Sequence, residues 1–511
     1  MKFYVTTPIY YVNDKPHIGH AYTSIACDVL ARFARIDGAE VHFLSGTDEH
    51  GQKVEQSAEK NGMSPQEWAD KNSVFFRDLL AKLNITNDDF IRTTEPRHKQ
   101  GAQEFWKVLQ KNGFIYESKY SGWYSVRDEA YYQETELIEG KAPTGADVEW
   151  VEEPSYFFKL SAFEDKLLEF YEANPNFIAP ATRRNEVISF VKGGLKDLSI
   201  SRTTFKWGIP VPGDEKHVMY VWLDALANYL TALGYPFGFK SSSVPATGLA
   251  DFWPASIHVV GKDIIRFHAV YWPAFLMAAD LEIPNRVFAH GWWTNEGQKI
   301  SKSLGNTINP LDLIDEFGVD QLRYFLMREI PFGNDGDFSR DKMIMRINSD
   351  LANNIGNLAQ RTLSMIAKNC DGKVPQHSFT EEDKKLLSFA FVQADKVRYA
   401  TLYEQQFSRA LELISQVASG ANEYIDTMQP WGLKKTDPER MGAVLYVLAE
   451  CLRRIGLMLL AFTPDAANKL LDQLAVPEDA RMFHRVGAGS ALKVGTELPA
   501  PEGLFPRFED L

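Results

Sequence analysis

The chain has 511 residues, 45% of them hydrophobic and 24% charged, an ordinary globular composition too long for one compact core. A formal net charge of -13 excludes a protein that meets nucleic acid with its whole surface, so any such partner must be held by local basic patches. Cys27, Cys370 and Cys451 are widely spaced and no C-x-x-C pair occurs, which argues against a disulfide framework and a thiolate zinc site.

The chain opens with KFYVTTPIYYV, β-branched and aromatic, which predicts a buried strand. A single Lys2 precedes it and polar NDKP follows, so no signal peptide is expected and the protein is placed in the cytoplasm. A helix over GHAYTSIACDVLARFARID and a strand over EVHFLSGTDE come next. Ser64, Pro65 and Glu67 form a capping box that starts a further helix. Strands alternating with helices predict a parallel α/β sheet of nucleotide-binding type. From 116 to 219 the chain turns rich in Tyr, Trp, Glu and Gly, with short strand-like runs, and reads as an insertion. The α/β pattern resumes with HVMYVWLDALANYL, SIHVVGKDIIRFHAVYWPAFLMAA and RVFAHGWWT. From about 345 onward it is almost wholly helical, which predicts a separate α-bundle. Its most apolar stretch, 442–462, is broken by Glu450, Arg453 and Arg454, so it is a core helix and not a membrane span.

Two stretches carry chemistry. PHIGHA places His17 and His20 one turn apart where a strand hands over to a helix. They could be half of a metal site, packed histidines, or donors facing an anion at a helix start, with Gly19 giving clearance for a flat ligand. GQKISKSLGN, residues 297–306, is a polar cationic loop bounded by glycines. It is either a solvated surface loop or a phosphate-binding one, and it is not a Walker loop. Asp48 and Asp263 each end a strand, as a ligand group or as a helix N-cap. Trp222, Ala225, Leu226 and Tyr229 form a helical stripe, and His268 and Trp272 are spaced i, i+4, either as core or as pocket wall. Asn357 and Arg361 share a helix face, and Trp431 follows Pro430 in a turn.

HIGH at 17–20 and KISKS at 299–303, in this order, resemble the two signatures of class I aminoacyl-tRNA synthetases, with Ile300 where Met is usual. TTPIYYVNDKPHIGHAYT, FLSGTDEHGQK, NEVISFV, DLSISR, WGIPVP, YVWLDALANY, GKDIIRFHAVYWPAFL, HGWW and PWGL resemble methionyl-tRNA synthetase along nearly the whole chain. The resemblance implies a Rossmann-type parallel-sheet catalytic domain (1–115 and 220–290) interrupted by an inserted connective domain (116–219). The KISKS loop and linker (291–345) and an all-α helical-bundle anticodon-binding domain (346–511) then follow.

It further implies that methionine is activated by ATP to methionyl-adenylate and passed to methionine tRNA, initiator and elongator. His17, His20 and Lys302 are the implied catalytic residues. Gly19, Gly261, Asp263, Lys299 and Ser301 join them at ATP, with Mg2+ arriving on the nucleotide. Ile9, Tyr11, Asp48, Trp222, Ala225, Leu226, Tyr229, His268 and Trp272 form the implied methionine site, with Leu226 where the family has Pro. Asn357, Arg361 and Trp431 are the implied anticodon readers. Ser125 and Asp128 stand where relatives with a zinc knuckle carry cysteines, so no structural zinc is expected, and Trp123, Tyr124 and Tyr131 are expected to pack that lobe. No C-terminal dimerisation extension is recognisable, so a monomer is expected. The competing expectations are another class I synthetase of the Leu/Ile/Val/Cys group and a non-catalytic tRNA-binding relative.

Overall fold

A computed structural model describes residues 1–13, 15–128, 130–239, 246–295, 297–299 and 307–508. Its organising element is a parallel sheet built from β1 (Lys2–Thr6), β2 (Tyr10–Tyr11), β3 (Glu40–Asp48), β4 (Asp89–Arg92), β5 (Ile178–Ala179), β6 (Ile257–Gly261) and β7 (Val287–His290). The order is β2–β3–β1–β6–β7–β5, with β4 also on β3, and every pairing is parallel. The expected first strand is two strands. Lys2–Thr6 pairs with Glu40–Leu44, and Tyr10–Tyr11 rejoins β3 at Thr47 and Asp48. Pro8, which has no N–H to give the ladder, lies in the break.

The chain leaves β1 toward β3 on one side and reaches β6 on the other, so β1 and β6 flank a switch point. The crevice outside their carboxyl ends is where such sheets bind ligands. α1 (Ile18–Ile36) covers this sheet with a nearly unbroken buried run from Ala21 to Ala31, all apolar or small save Tyr22 and Asp28. α2 (Pro65–Lys82) starts with the expected capping box: Ser64 N–H donates to Glu67 Oε2 at 2.9 Å and Glu67 N–H to Ser64 Oγ at 3.3 Å. α3 (Val221–Thr231) is buried on every side.

The insertion carries an antiparallel sheet in the order 130–132, 115–125, 149–158, 198–199. Within the stretch read as the insertion, Ile178–Ala179 forms β5, the edge strand of the parallel sheet. After 307, α4 (Pro310–Phe317) and α5 (Val319–Arg328) lead to the helical part. The boundary expected at 345/346 falls inside one helical run. Arg340–Arg346, a π-helical stretch Ile347–Gly356 and α6 (Asn357–Asn369) follow without a break, because Ile347 and Asn357 keep right-handed helical backbone. α7 (Glu381–Leu402), α8 (Phe407–Met428), α9 (Pro438–Leu459) and α10 (Pro464–Gln473) complete the bundle. Its apolar core is continuous with that under α1.

Candidate active site

A cavity of about 1120 Å³ opens at the carboxyl ends of β1 and β6. His17, Gly19 and His20 line it from the start of α1. His17 is itself the N-cap residue: its Nδ1 accepts the Gly19 N–H at 3.0 Å, and His20 Nδ1 accepts the His17 N–H at 3.0 Å. This is a capping box made of imidazoles, where Ser and Glu are usual. With both Nδ1 atoms accepting, the proton of each neutral ring sits on Nε2, and each ring is a donor at its far end. Tyr10 and Phe76 meet the His20 ring edge-on at 4.9 and 5.2 Å. Burial, and then the neighbouring His17, hold the His20 pKa well below its ordinary value. At Gly19 a Cβ would lie 2.9 Å from His17 Cε1, so the missing side chain makes room for the capping ring.

Opposite, Trp222, Ala225, Leu226 and Tyr229 of α3 line the cavity, joined by Ile9, Tyr11, Asp48 and His268. Trp222 stacks on Phe267 with ring centroids 3.7 Å apart. The Tyr229 ring lies on His258 at 4.1 Å, and its hydroxyl meets His268 Nε2 at 2.7 Å. His268 Nδ1 lies 3.0 Å from the Ile264 carbonyl, which fixes the proton on Nδ1 and leaves Nε2 to accept from Tyr229. Burial pushes the His268 pKa down to about 4 against the pull of that carbonyl and of Asp263, so the ring is neutral at pH 7. Trp272 does not line this cavity. It is fully buried behind the wall, 6.0 Å from the Tyr229 ring, and donates to His258 Nε2 at 3.3 Å.

Asp48 is buried at the end of β3 beside Tyr11 and caps no helix, since the next helix starts after Gly51. The wall is braced from behind by Asp224, which bridges His50 Nδ1 and His98 Nε2 at 2.7 Å each. Burial would raise its pKa, but the two histidines hold it down at about 2.

At the other end Asp263 is exposed and follows β6, with Gly261 rather than Asp263 preceding the short helical turn. Asp263 Oδ1 accepts from Trp292 Nε1 at 3.0 Å. A Cβ on Gly261 would come within 2.5 Å of that same oxygen. Lys299 lies in a two-residue strand with Gln298, whereas Ser301 and Lys302 lie outside the described residues. Ile308 accepts the Ile18 N–H at 3.2 Å, which ties Ile308 to the start of α1.

Motif reading missed Asn13, Asn228 and Trp292, which also line the cavity. The amide of Asn13 and Oδ1 of Asn228 are buried without a hydrogen-bond partner among the described residues. A polar residue inside an apolar run, as in ALANYL, was the available signal for Asn228.

The three expected anticodon residues gather on the helical bundle. Asn357 is exposed at the start of α6, and the Arg361 guanidinium lies 5.5 Å over the ring of Trp431, which is 49% exposed. Arg361 Nη2 also donates to Asp426 at 2.6 Å. In the insertion, Asp128 N–H donates to Ser125 Oγ at 3.3 Å, and Asp128 accepts from Tyr132 and Thr144. Among the described residues no group of three or more His, Cys, Asp or Glu is placed to hold a metal ion.

The family model for class I tRNA synthetases (M) matches residues 3–149 and 134–363. The anticodon binding domain of methionyl tRNA ligase matches 374–511. The methionine–tRNA ligase of Rickettsia felis is 59% identical over 99% of this chain and 98% of its own. That of Brucella suis is 58% identical over the same shares. The chain belongs to the methionyl-tRNA synthetases. It is therefore an ATP-dependent methionine–tRNA ligase with a parallel-sheet catalytic part and a helical C-terminal part. A solved Mycobacterium tuberculosis methionyl-tRNA synthetase in complex with methionyl-adenylate matches with a TM-score of 0.95 and 50% identity, over 99% of this chain and 100% of that one. The apo form from the same organism matches with a TM-score of 0.89 and 47% identity, over 100% of this chain and 99% of that one.

Proposed function

We propose that the cavity activates methionine with the residues inferred from the sequence, Trp272 excepted, which supports Tyr229 from behind. The observation that carries this is one space bounded on one side by the Nδ1-anchored His17 and His20 and on the other by the α3 wall with Asp48. Asp48 pairs with the substrate ammonium. Trp222, Ala225, Leu226 and Tyr229 take the thioether, which gains from aromatic edges. Tyr11 and the Tyr229–His268 pair present the polar atoms nearest the sulfur.

The methionine carboxylate attacks the α-phosphorus of ATP. The new bond is carboxyl oxygen to phosphorus, the bond broken is to the bridging oxygen, and pyrophosphate leaves with its charge. Stabilising that charge is the main lever of the step. His17 and His20 donate from Nε2 to the phosphates, Lys302 stabilises the pyrophosphate side, and Lys299 and Ser301 assist. Gly261 and Asp263 face ribose and adenine. Mg2+ would come on the nucleotide and add charge neutralisation there.

In the second step the terminal ribose hydroxyl of the tRNA attacks the carbonyl, an ester forms and AMP leaves. Trp431 stacks a splayed anticodon base while Asn357 and Arg361 hydrogen-bond base edges, for initiator and elongator tRNA alike. We place the enzyme in the cytoplasm as a monomer. The test is ATP–pyrophosphate exchange with each amino acid in turn. Methionine alone should support exchange. Exchange with leucine or valine would overturn the pocket assignment, and none at all would leave a tRNA-binding module.

A further inference from the structure

Arg323 is fully buried in α5, and its guanidinium is shared among three parts of the molecule. Nη2 donates to Asp28 of α1 at 2.7 Å, and Nη1 donates to the Leu83 carbonyl just past α2 at 3.1 Å. Nε donates to the Phe462 carbonyl at 3.0 Å and Nη2 to that of Ala461 at 2.9 Å, both just beyond the end of α9. One turn earlier, Asp320 Oδ2 accepts the Ala466 N–H at the start of α10 at 2.7 Å. α5 thus holds the α9–α10 corner from both sides, a cation on the free carbonyls of one helix end and a carboxyl on the free N–H of the next helix start.

Both arms leading away from this corner reach the reaction site. Asp28 sits on the helix that His17 and His20 cap, and it is fixed there by Arg32 Nε at 2.7 Å and by Thr86. α5 is joined through Gly318, with φ of 95°, to α4. The residues before α4 line the cavity, and Ile308 accepts the first N–H of α1. In the other direction α9 has 22 residues, a rod of about 33 Å. It starts just after the short helix that carries Trp431.

We propose that Arg323 is a positioning residue that registers the anticodon-reading end of the bundle against α1 and the α4–α5 connection beside the cleft. It touches neither substrate nor nucleotide. It holds α9, α1 and α5 in one geometry, so a tRNA seated correctly at Trp431 presents its far end to a correctly set α1. A planar fork with donors on three sides is what the role needs; Lys keeps the charge and loses that geometry.

The inference rests on the anticodon role proposed for Trp431, and the test separates the two. Arg323→Lys, Trp431→Ala and the double variant are assayed for exchange, for charging, and for the KM of tRNA. Arg323→Lys should lower the charging kcat about tenfold, with tRNA KM and exchange nearly unchanged. In the double variant the two losses should not multiply, because the residues act in series. Parallel loss of exchange and charging, multiplicative losses, or unchanged charging in Arg323→Lys would overturn the positioning role. If Trp431→Ala alone left charging untouched, the anticodon assignment would fail first. Gly318→Ala is the second variant: at its φ of 95° an added Cβ would also lie 2.5 Å from Gln321 Oε1. It should shift α4 against α5 with no buried charge removed, and it should give the same separation of charging from exchange; a wild-type profile there would count against the proposal.

Discussion

Tyr229→Phe isolates one atom of the wall proposed to hold methionine. The Tyr229 ring lies on His258 at 4.1 Å and near Trp272 at 6.0 Å, and Phe preserves both contacts. What disappears is the hydroxyl that donates to His268 Nε2 at 2.7 Å. His268 is buried and its Nδ1 is committed to Ile264, so Nε2 becomes an orphaned acceptor at the cavity wall. An unsatisfied buried acceptor costs about 1–3 kcal/mol. If the substrate side chain packs where that pair is exposed to the cavity, the same amount appears in methionine affinity, roughly 5- to 150-fold in KM. ATP–pyrophosphate exchange at saturating ATP, with methionine varied, measures it, and norleucine serves as the isostere without sulfur. The KM for methionine should rise while that for ATP stays put, and preference for methionine over norleucine should fall. An unchanged methionine KM would show that the Tyr229–His268 pair does not face the substrate, and the pocket assignment would have to move.

Lys302→Ala should cut exchange by about 10²-fold or more, as loss of a charge contact made in the transition state does; an unchanged rate removes Lys302 from the mechanism. Trp431→Ala should weaken charging of methionine tRNA while exchange persists, and loss of both in stopped assays would make it a folding residue. Burial, and to a lesser degree Asp465, push the Asp320 pKa up to about 6 from its ordinary 3.8. The folded state therefore holds the proton more tightly, and stability falls as pH rises from about 4 to about 6 and stays lower above that. Asp320→Asn keeps an acceptor for Ala466 and should raise the melting temperature at neutral pH more than at about pH 4.5; equal shifts at both would refute the assignment.

The parallel sheet, the helix over 18–36 and the capping box at Ser64 were legible because each has a local signature in residue type and spacing. The cavity-lining stripe on α3 was legible in spacing but ambiguous in meaning, since a helix buried on all sides shows the same pattern as one facing a pocket. Trp272 shows the same ambiguity: spacing says which residues share a face, and not whether a second layer stands in front. Ile178–Ala179 was invisible because two residues carry no periodicity. The imidazole capping box was invisible too, because cap rules describe Ser, Thr, Asp and Asn. Asp28, Asp320 and Arg323 look like surface charges in sequence, and only the packing of distant segments shows them buried.

The double duty proposed for His17 and His20 has an engineering consequence. In most helices the capping residue and the residues that serve ligands are different, so each can be changed alone. Here the same two rings close the helix through Nδ1 and, in the role proposed, serve the phosphates through Nε2. A Ser or Asp introduced to tighten the start of α1 would supply a better cap and delete a donor. An attempt to retune the donors by substitution would loosen the helix that aims them. Thermostabilising this enzyme has to begin elsewhere in the chain.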